Sequence, residues 1–278
     1  MISVKNLSFH YAKKKELFHE LNLELGQGNI VGLLGKNGAG KTSLIKILTG
    51  LLYPKAGECQ MLGETPSKRS PQFLSNVYFL PEEIEESNLR MDKHVALYAP
   101  FYPKFDHEGF VSSMRSFGID PSENLKNLSY GQKKQFYISF GLATGCSLLV
   151  FDEPTNGLDI PSKSVFRKLV ASSMTDDKLI LISTHQVRDL GNLIDRVLVL
   201  NNGAIIFNKS TEDISNQYDF VSTDTVPDST QWLYHERGLG NGKAIVASKG
   251  HLESKIDLEL LFSGIVAHPE KFKTTAHE

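Results

Sequence analysis

Cysteine is nearly absent from this chain of 278 residues: Cys59 and Cys146 are the only two. Two thiols so far apart have no metal-ligand spacing, which leaves them as small buried or half-buried residues and suits a reducing cytoplasm. Tryptophan occurs once, at Trp232, and reads as packing. Excess charge of either sign is also missing, since 30 Lys and Arg stand against 32 Asp and Glu for a net charge of -2. Nucleic acid is therefore not an expected partner, because such binding calls for a basic block or stripe. The longest cluster of like charge, Lys13, Lys14 and Lys15, reads as a solvated hairpin tip between two strands. No apolar run approaches the roughly 18 residues of a spanning helix, so direct membrane insertion is not expected and another chain would supply any membrane part. Residues 1–7 alternate like a strand and offer no apolar h-region of a secretory signal. There is no internal repeat and no low-complexity linker. Hydrophobic content of 40% and charged content of 22% are those of an ordinary globular protein, and the length allows one or two domains.

What the chain does have is GKNGAGKT at residues 35–42, which satisfies G-x-x-x-x-G-K-[ST] at every fixed position. The apolar run at 30–34 before it reads as a buried strand, and Leu44, Ile47, Leu48 and Leu51 after it recur at helical spacing. Strand, glycine loop and helix are the context a phosphate loop requires. Gly35, Gly38 and Gly40 let the backbone bring its N–H groups against phosphate oxygens, with Asn37 and Ala39 between them. A helix starting near Gly40 aims its free N–H groups and positive dipole end at the same anion. Lys41 then reaches the β- and γ-phosphates, the Thr42 hydroxyl is the Mg²⁺ ligand, and Ser43 follows at the nucleotide.

Ile2, Val4, Leu7 and Phe9, then Leu21, Leu23 and Leu25, predict two antiparallel strands ahead of this loop. Tyr11, at the end of the first, is placed either to stack on an adenine base or to pack at a strand end. Gly50 and Pro54 stop the helix, a turn and short strand follow at 57–63, and another strand at 76–80 ends at Pro81. From Glu82 to about Tyr137 the pattern becomes helical, broken by Pro100, Pro103 and Pro121 and rich in aromatic residues, as in an inserted subdomain. Those aromatics form its small core, or line a groove for a partner helix, or both.

A buried strand at 147–151 ends in Asp152 and Glu153. A carboxylate at the carboxyl end of a parallel strand, beside a phosphate loop, is where Mg²⁺ is held, and Glu153 is placed to polarise a water for in-line attack on the γ-phosphate. Caps or a surface ion pair are the alternative. After an amphipathic helix at 165–174 comes a buried strand at 179–183, followed by His185, which either bonds the γ-phosphate or is a satisfied structural residue. Strands at 197–200 and 204–207 flank Asn202 and Gly203, a strong hairpin signal. The alternation predicts an α/β fold with a largely parallel sheet and antiparallel strands at its start and end. Beyond about Asn208, strand-like runs at 220–222, 231–234 and 244–248 and a helical run at 257–262 predict a small α/β extension without nameable chemistry; His235, His251, His268 and His277 lack ligand spacing.

With Leu128, Ser129, Tyr130, Gly131 and Gln132 just ahead of the Asp152 strand, residues 1–208 resemble the ATP-binding cassette (ABC) ATPases. The resemblance implies a P-loop NTPase core at 1–208 with a helical subdomain inserted at about 82–140, and an accessory extension at 209–278. It implies that Ser129, Gly131 and Gln132 belong to a signature motif facing the ATP held by a second subunit. Tyr11 is then the adenine-stacking residue, Asp152 the Mg²⁺-associated carboxylate, Glu153 the general base, His185 the switch histidine and residues 157–159 the D-loop. Two departures stand out: Tyr130 occupies a position where glycine is usual, and Glu82 one where glutamine is usual. Glu82 is expected to contact both the metal and the attacking water, with Glu83 as the alternative. The implied cofactors are ATP and Mg²⁺. The implied partners are a second cassette, in a homodimer or heterodimer, and integral membrane permease subunits that hold the chain at the cytoplasmic face of the inner membrane. The short 81–83 segment and the extension resemble cassettes of two-component exporters. The alternative is a soluble ABC ATPase without a transport role.

Overall fold

The computed structural model describes residues 1–12, 15–85, 87–223, 232–237, 242–248 and 254–272. Strands β1 (Ile2–Phe9) and β2 (Phe18–Leu25) form an antiparallel pair, from Ile2 opposite Leu25 to Phe9 opposite Phe18. Of the lysine tip between them, Lys13 and Lys14 lie outside the described residues. After β3 (Asn29–Leu34) and helix α1 (Lys41–Leu48), strand β4 (Ala56–Met61) returns to the other edge of β1. The amino-terminal pair thus belongs to a separate three-stranded antiparallel sheet and does not open the main one. The residues explain the separation. β1 and β2 alternate buried and open positions, so one face suffices for them, whereas β3 is apolar at nearly every position and needs cover on both.

The main sheet is built from β3, β5 (Val77–Leu80), β6 (Leu148–Asp152), β7 (Leu179–Thr184), β8 (Arg196–Asn201) and β9 (Ala204–Ser210), in the order β5-β6-β7-β3-β8-β9. All its pairings are parallel except the β8–β9 hairpin, whose turn residues Asn202 and Gly203 take φ of 48° and 77°. That is the left-handed pair an Asn-Gly turn provides. Val31, Leu33, Leu148, Val150, Leu179 and Leu181 point into a core shared with α1 and the small sheet. Ile30, Leu34, Leu149, Phe151, Ile180 and Ile182 point to the opposite core. Two-sided burial is the reason these strands read as unbroken apolar runs.

The second core takes in the helical insert. Following α2 (Pro71–Leu74) and β5, residues 82–85 and 87–89 run without helix, and helices of the insert are α3 (Met91–Tyr98), α4 (His107–Ser116) and α5 (Tyr130–Ala143). Phe110, Met114, Phe136 and Phe140 are buried there with Tyr102, Phe105 and Phe117 packed against them, so these aromatic residues form a core, whereas Tyr98 and Phe101 are exposed. Helix α6 (Ile160–Ser172) precedes β7. The extension comprises α7 (Thr211–Gln217), a sheet of β10 (Tyr218–Thr223), β11 (Trp232–Glu236) and β12 (Gly242–Ala247), then α8 (Leu258–Ala267) and α9 (Pro269–Phe272). Trp232 is buried in it, as packing, while Gln231, His251 and His277 lie outside the described residues. Both cysteines are buried free thiols, and burial pushes Cys59 up to about 11 and Cys146 up to about 12. No helix of the described residues is long and apolar enough to cross a membrane.

Parallel register sets the site. Leu34 pairs with Thr184, Asp152 with Ser183 and Leu80 with Phe151, so β3, β5, β6 and β7 all end on one rim.

Candidate functional site

At that rim the chain leaves β3 through residues 35–40 and enters α1 with Gly40 as its N-cap at φ 103°, a backbone suited to glycine. A Cβ at Gly40 would lie 2.9 Å from the Phe18 ring, and one at Gly35 2.7 Å from the Leu200 carbonyl oxygen. Glycine is thus demanded at both positions by what surrounds the loop. No side chain caps α1, so its first N–H groups face the rim unclaimed by a cap. Lys41 is buried, and its Nζ donates to the Gly35 carbonyl at 2.9 Å and lies 3.6 Å from Glu153 Oε1.

Two carboxylates meet this loop from the end of β6. Asp152 is fully buried; its Oδ2 accepts from Thr42 Oγ1 at 2.7 Å and its Oδ1 from the Ser183 hydroxyl. Glu153 follows with φ 47°, a left-handed backbone that costs a non-glycine residue about 1–3 kcal/mol. Its Oε1 is 2.8 Å from His185 Nδ1, and its buried Oε2 has no hydrogen-bond partner among the described residues. Strain, burial and an unsatisfied oxygen together mark Glu153 as a residue held for use.

A cavity of about 480 Å³ opens over these groups. Tyr11, Asn37, Gly38, Gly40, Lys41, Thr42, Ser43, Glu82, Glu153 and His185 line it, joined by Lys15 and Leu17 at its mouth. Gly35, Ala39 and Asp152 are not among the lining residues. Tyr11 stands 39% exposed, with its hydroxyl 2.8 Å from Ser43 Oγ. Glu82 is half-buried in the cavity wall, whereas Glu83 is exposed and outside it. The donor set fits a hard divalent cation: Thr42 and Asp152 offer only oxygen, on the side where the loop would hold phosphate. No group of three or more His, Cys, Asp or Glu side chains gathers to hold a metal among the described residues, so phosphate and water would complete the coordination.

Ser129, Gly131 and Gln132 do not line this cavity. They open α5, where Ser129 Oγ accepts from the Gln132 N–H at 3.2 Å and Gln132 Oε1 accepts from the Ser129 N–H at 2.9 Å, a capping box. Tyr130 connects them to the site: its hydroxyl donates to the Glu82 carbonyl at 2.6 Å, and its ring lies where a Cβ at Gly157 would be. Glu82 Oε1 in turn accepts from Asn156 Nδ2 at 3.0 Å. Lys134, one turn into α5, is fully buried and donates to the Glu153 carbonyl; burial pushes it down to about 8. Sequence reasoning missed Lys134, Asn156 and Ser183. A charged residue on the same helix stripe as Ile138 and Gly141 was the available signal for Lys134.

The ABC transporter family model matches residues 18–156. The chain is 30% identical over 237 residues to an uncharacterised ABC transporter ATP-binding protein of Methanocaldococcus jannaschii, covering 79% of this chain and 81% of that protein. It is 29% identical over 210 residues to the bacitracin transport ATP-binding protein of Bacillus licheniformis, covering 74% and 68%. Against mouse ATP-binding cassette sub-family A member 17 it is 30% identical over 198 residues, 69% of this chain but only 11% of that much longer one. A solved ATP-binding subunit of an ABC transporter superposes with TM-score 0.69 at 24% identity, covering 77% of this chain and 91% of that one, which shows a shared fold.

Proposed function

Since this chain belongs to the ABC transporter family and carries its ATP-binding, ATP-hydrolysing domain, we propose that its cavity binds Mg²⁺-ATP and that Glu153 activates the attacking water. The observation that carries this reading is convergence: Lys41, Thr42, Asp152, Glu153 and His185 come from three strand ends and meet around one cavity. The N–H groups of residues 37–43 and Lys41 Nζ bind the β- and γ-phosphates. Thr42 and Asp152 would hold Mg²⁺, which when bound would neutralise charge developing on the phosphates. Glu153 takes a proton from water, and His185 fixes the Glu153 carboxylate by its 2.8 Å contact. Tyr11 would pack against the base, and Glu82, also in the cavity lining, would be available to the metal and the attacking water.

Completion of the site falls to a second cassette, identical or different, whose residues 129–132 and α5 N-terminus approach the γ-phosphate. Permease subunits on the membrane receive the resulting motion. A groove of about 290 Å³ between the main sheet and the helical insert, lined by Leu80, Ile84, Tyr98, Tyr102 and Phe140 among others, is where we place a permease helix. Similarity to the bacitracin transport protein supports a transport role, and export is the direction we propose. The chain then works at the cytoplasmic face of the inner membrane, with residues 1–208 as the ATPase domain and 209–278 as its accessory.

Glu153→Gln tests the reading. It should bind ATP as the wild type does while turnover drops about 10²-fold or more, and light scattering should show an ATP-trapped dimer. Wild-type turnover in this variant would remove Glu153 as general base.

A further inference from the structure

Lys134 has no exposed surface, and it joins no ion pair among the described residues. Its Nζ donates to the Glu153 carbonyl oxygen at 2.5 Å and lies 5.4 Å from the centre of the Tyr130 ring. An ammonium group is costly to bury, and a single carbonyl with one aromatic face repays little of that cost. What does favour the charged form is the negative field of Glu82, Glu153 and Asp152 around it.

Its position relative to Glu153 is specific. The Glu153 N–H donates to the Ser183 carbonyl at 3.1 Å and lies 3.2 Å from Ser183 Oγ. The Glu153 carbonyl accepts from Lys134 on its other side and from the Asn156 N–H at 3.3 Å. A left-handed backbone at a glutamate persists only where its surroundings fix it, and these bonds are that fixture. The same Asn156 ties the Glu82 carboxylate to the Glu153 turn, and Tyr130 covers Lys134 while holding the Glu82 carbonyl.

We propose that Lys134 is a positioning residue for ATP hydrolysis: it clamps the Glu153 main chain by its carbonyl and offsets the negative charge that Glu82 brings beside the reacting phosphate. The proposal rests on the Mg²⁺-ATP reading above. Lys134 touches no reacting atom in this arrangement. It acts through the aim of Glu153 and through the field at the Glu82 carboxylate.

The test is a double-mutant cycle with ATP affinity and turnover measured separately on the full chain. Lys134→Met should leave the Kd for ATP within about threefold while kcat falls about 10- to 100-fold, as for other residues that support a site from behind its first contacts. Adding Glu82→Gln should recover at least part of that loss, since it removes the uncompensated carboxylate; a residue that only fills space would give losses that add. If Lys134→Met does not fold, Lys134→Gln with and without Glu82→Gln supplies the same comparison. Unchanged kcat in the lysine variants, or losses that simply add with Glu82→Gln, would overturn the proposal. A wild-type protein that binds no ATP would instead overturn the nucleotide reading beneath it, so the two failures are distinguishable.

Discussion

Lys41 and Glu153 show how closely single residues are specified at this site. Each is buried, each is charged, and they lie 3.6 Å apart. Neither burial would be tolerated without the other charges and carbonyls around it. Lys41→Ala removes the cation from the phosphate loop while leaving its glycines, so ATP affinity should weaken by about 1.5–3 kcal/mol, roughly 10- to 150-fold in Kd, by calorimetry. The residues named by motif were legible because phosphate binding demands particular atoms at fixed spacing. Lys134 and Asn156 were not, because each bonds a group brought close only by folding: the Glu153 carbonyl, 19 positions away, and the Glu82 carboxylate, 74 positions away.

At the level of elements, α5 works at both ends. Its capping box contributes on the order of 1 kcal/mol to helix stability. Its middle packs into the insert, where Phe136 and Phe140 meet His94 of α3 edge-on at 5.2 and 5.5 Å. His94 is buried with Nδ1 unpartnered among the described residues, and desolvation lowers its pKa from 6.5 to about 4. It is therefore neutral in the fold, whereas the unfolded chain takes up a proton there as pH falls through 6.5. The linkage favours unfolding, so stability should decline from pH 6.5 down to about 4. Thermal unfolding at pH 7 and at about pH 4.5 should show a drop that is smaller in His94→Phe. The strands were legible for a reason of the same scale: two-sided burial writes unbroken apolar runs and one-sided burial writes alternation. The start of the insert was not, since residues 82–85 and 87–89 carry helix-like apolar and charged spacing but form no helix, with Glu82 lining the site cavity and Ile84 and Glu85 the groove.

Across the whole molecule, the extension is bound to the ATPase core by continuous packing. Ile214, Tyr218, Ile245, Leu261, Ile265 and Phe272 belong to the same buried cluster as Phe151 and Ile182. Arg188, three residues past His185, pairs with Glu259 of α8 at 2.5 Å. Removing residues 209–278 would expose that apolar face, and the truncated chain should aggregate or melt well below the full chain in a thermal-shift measurement. The extension's three strands and α8 were legible in the sequence, but α7, α9 and this attachment were not, because its apolar residues are written like those of any small core.

The parallel register has a practical corollary. Lys41, Thr42, Asp152, Glu153 and His185 lie on the rim where β3, β6 and β7 end, while the opposite rim, where the Gly28 N–H meets the Lys178 carbonyl at 2.7 Å, holds none of the described residues that line the cavity. Exposed Asp176 and Asp177 beside it offer an attachment point for a fluorophore or an affinity handle, a full strand's length away from the nucleotide.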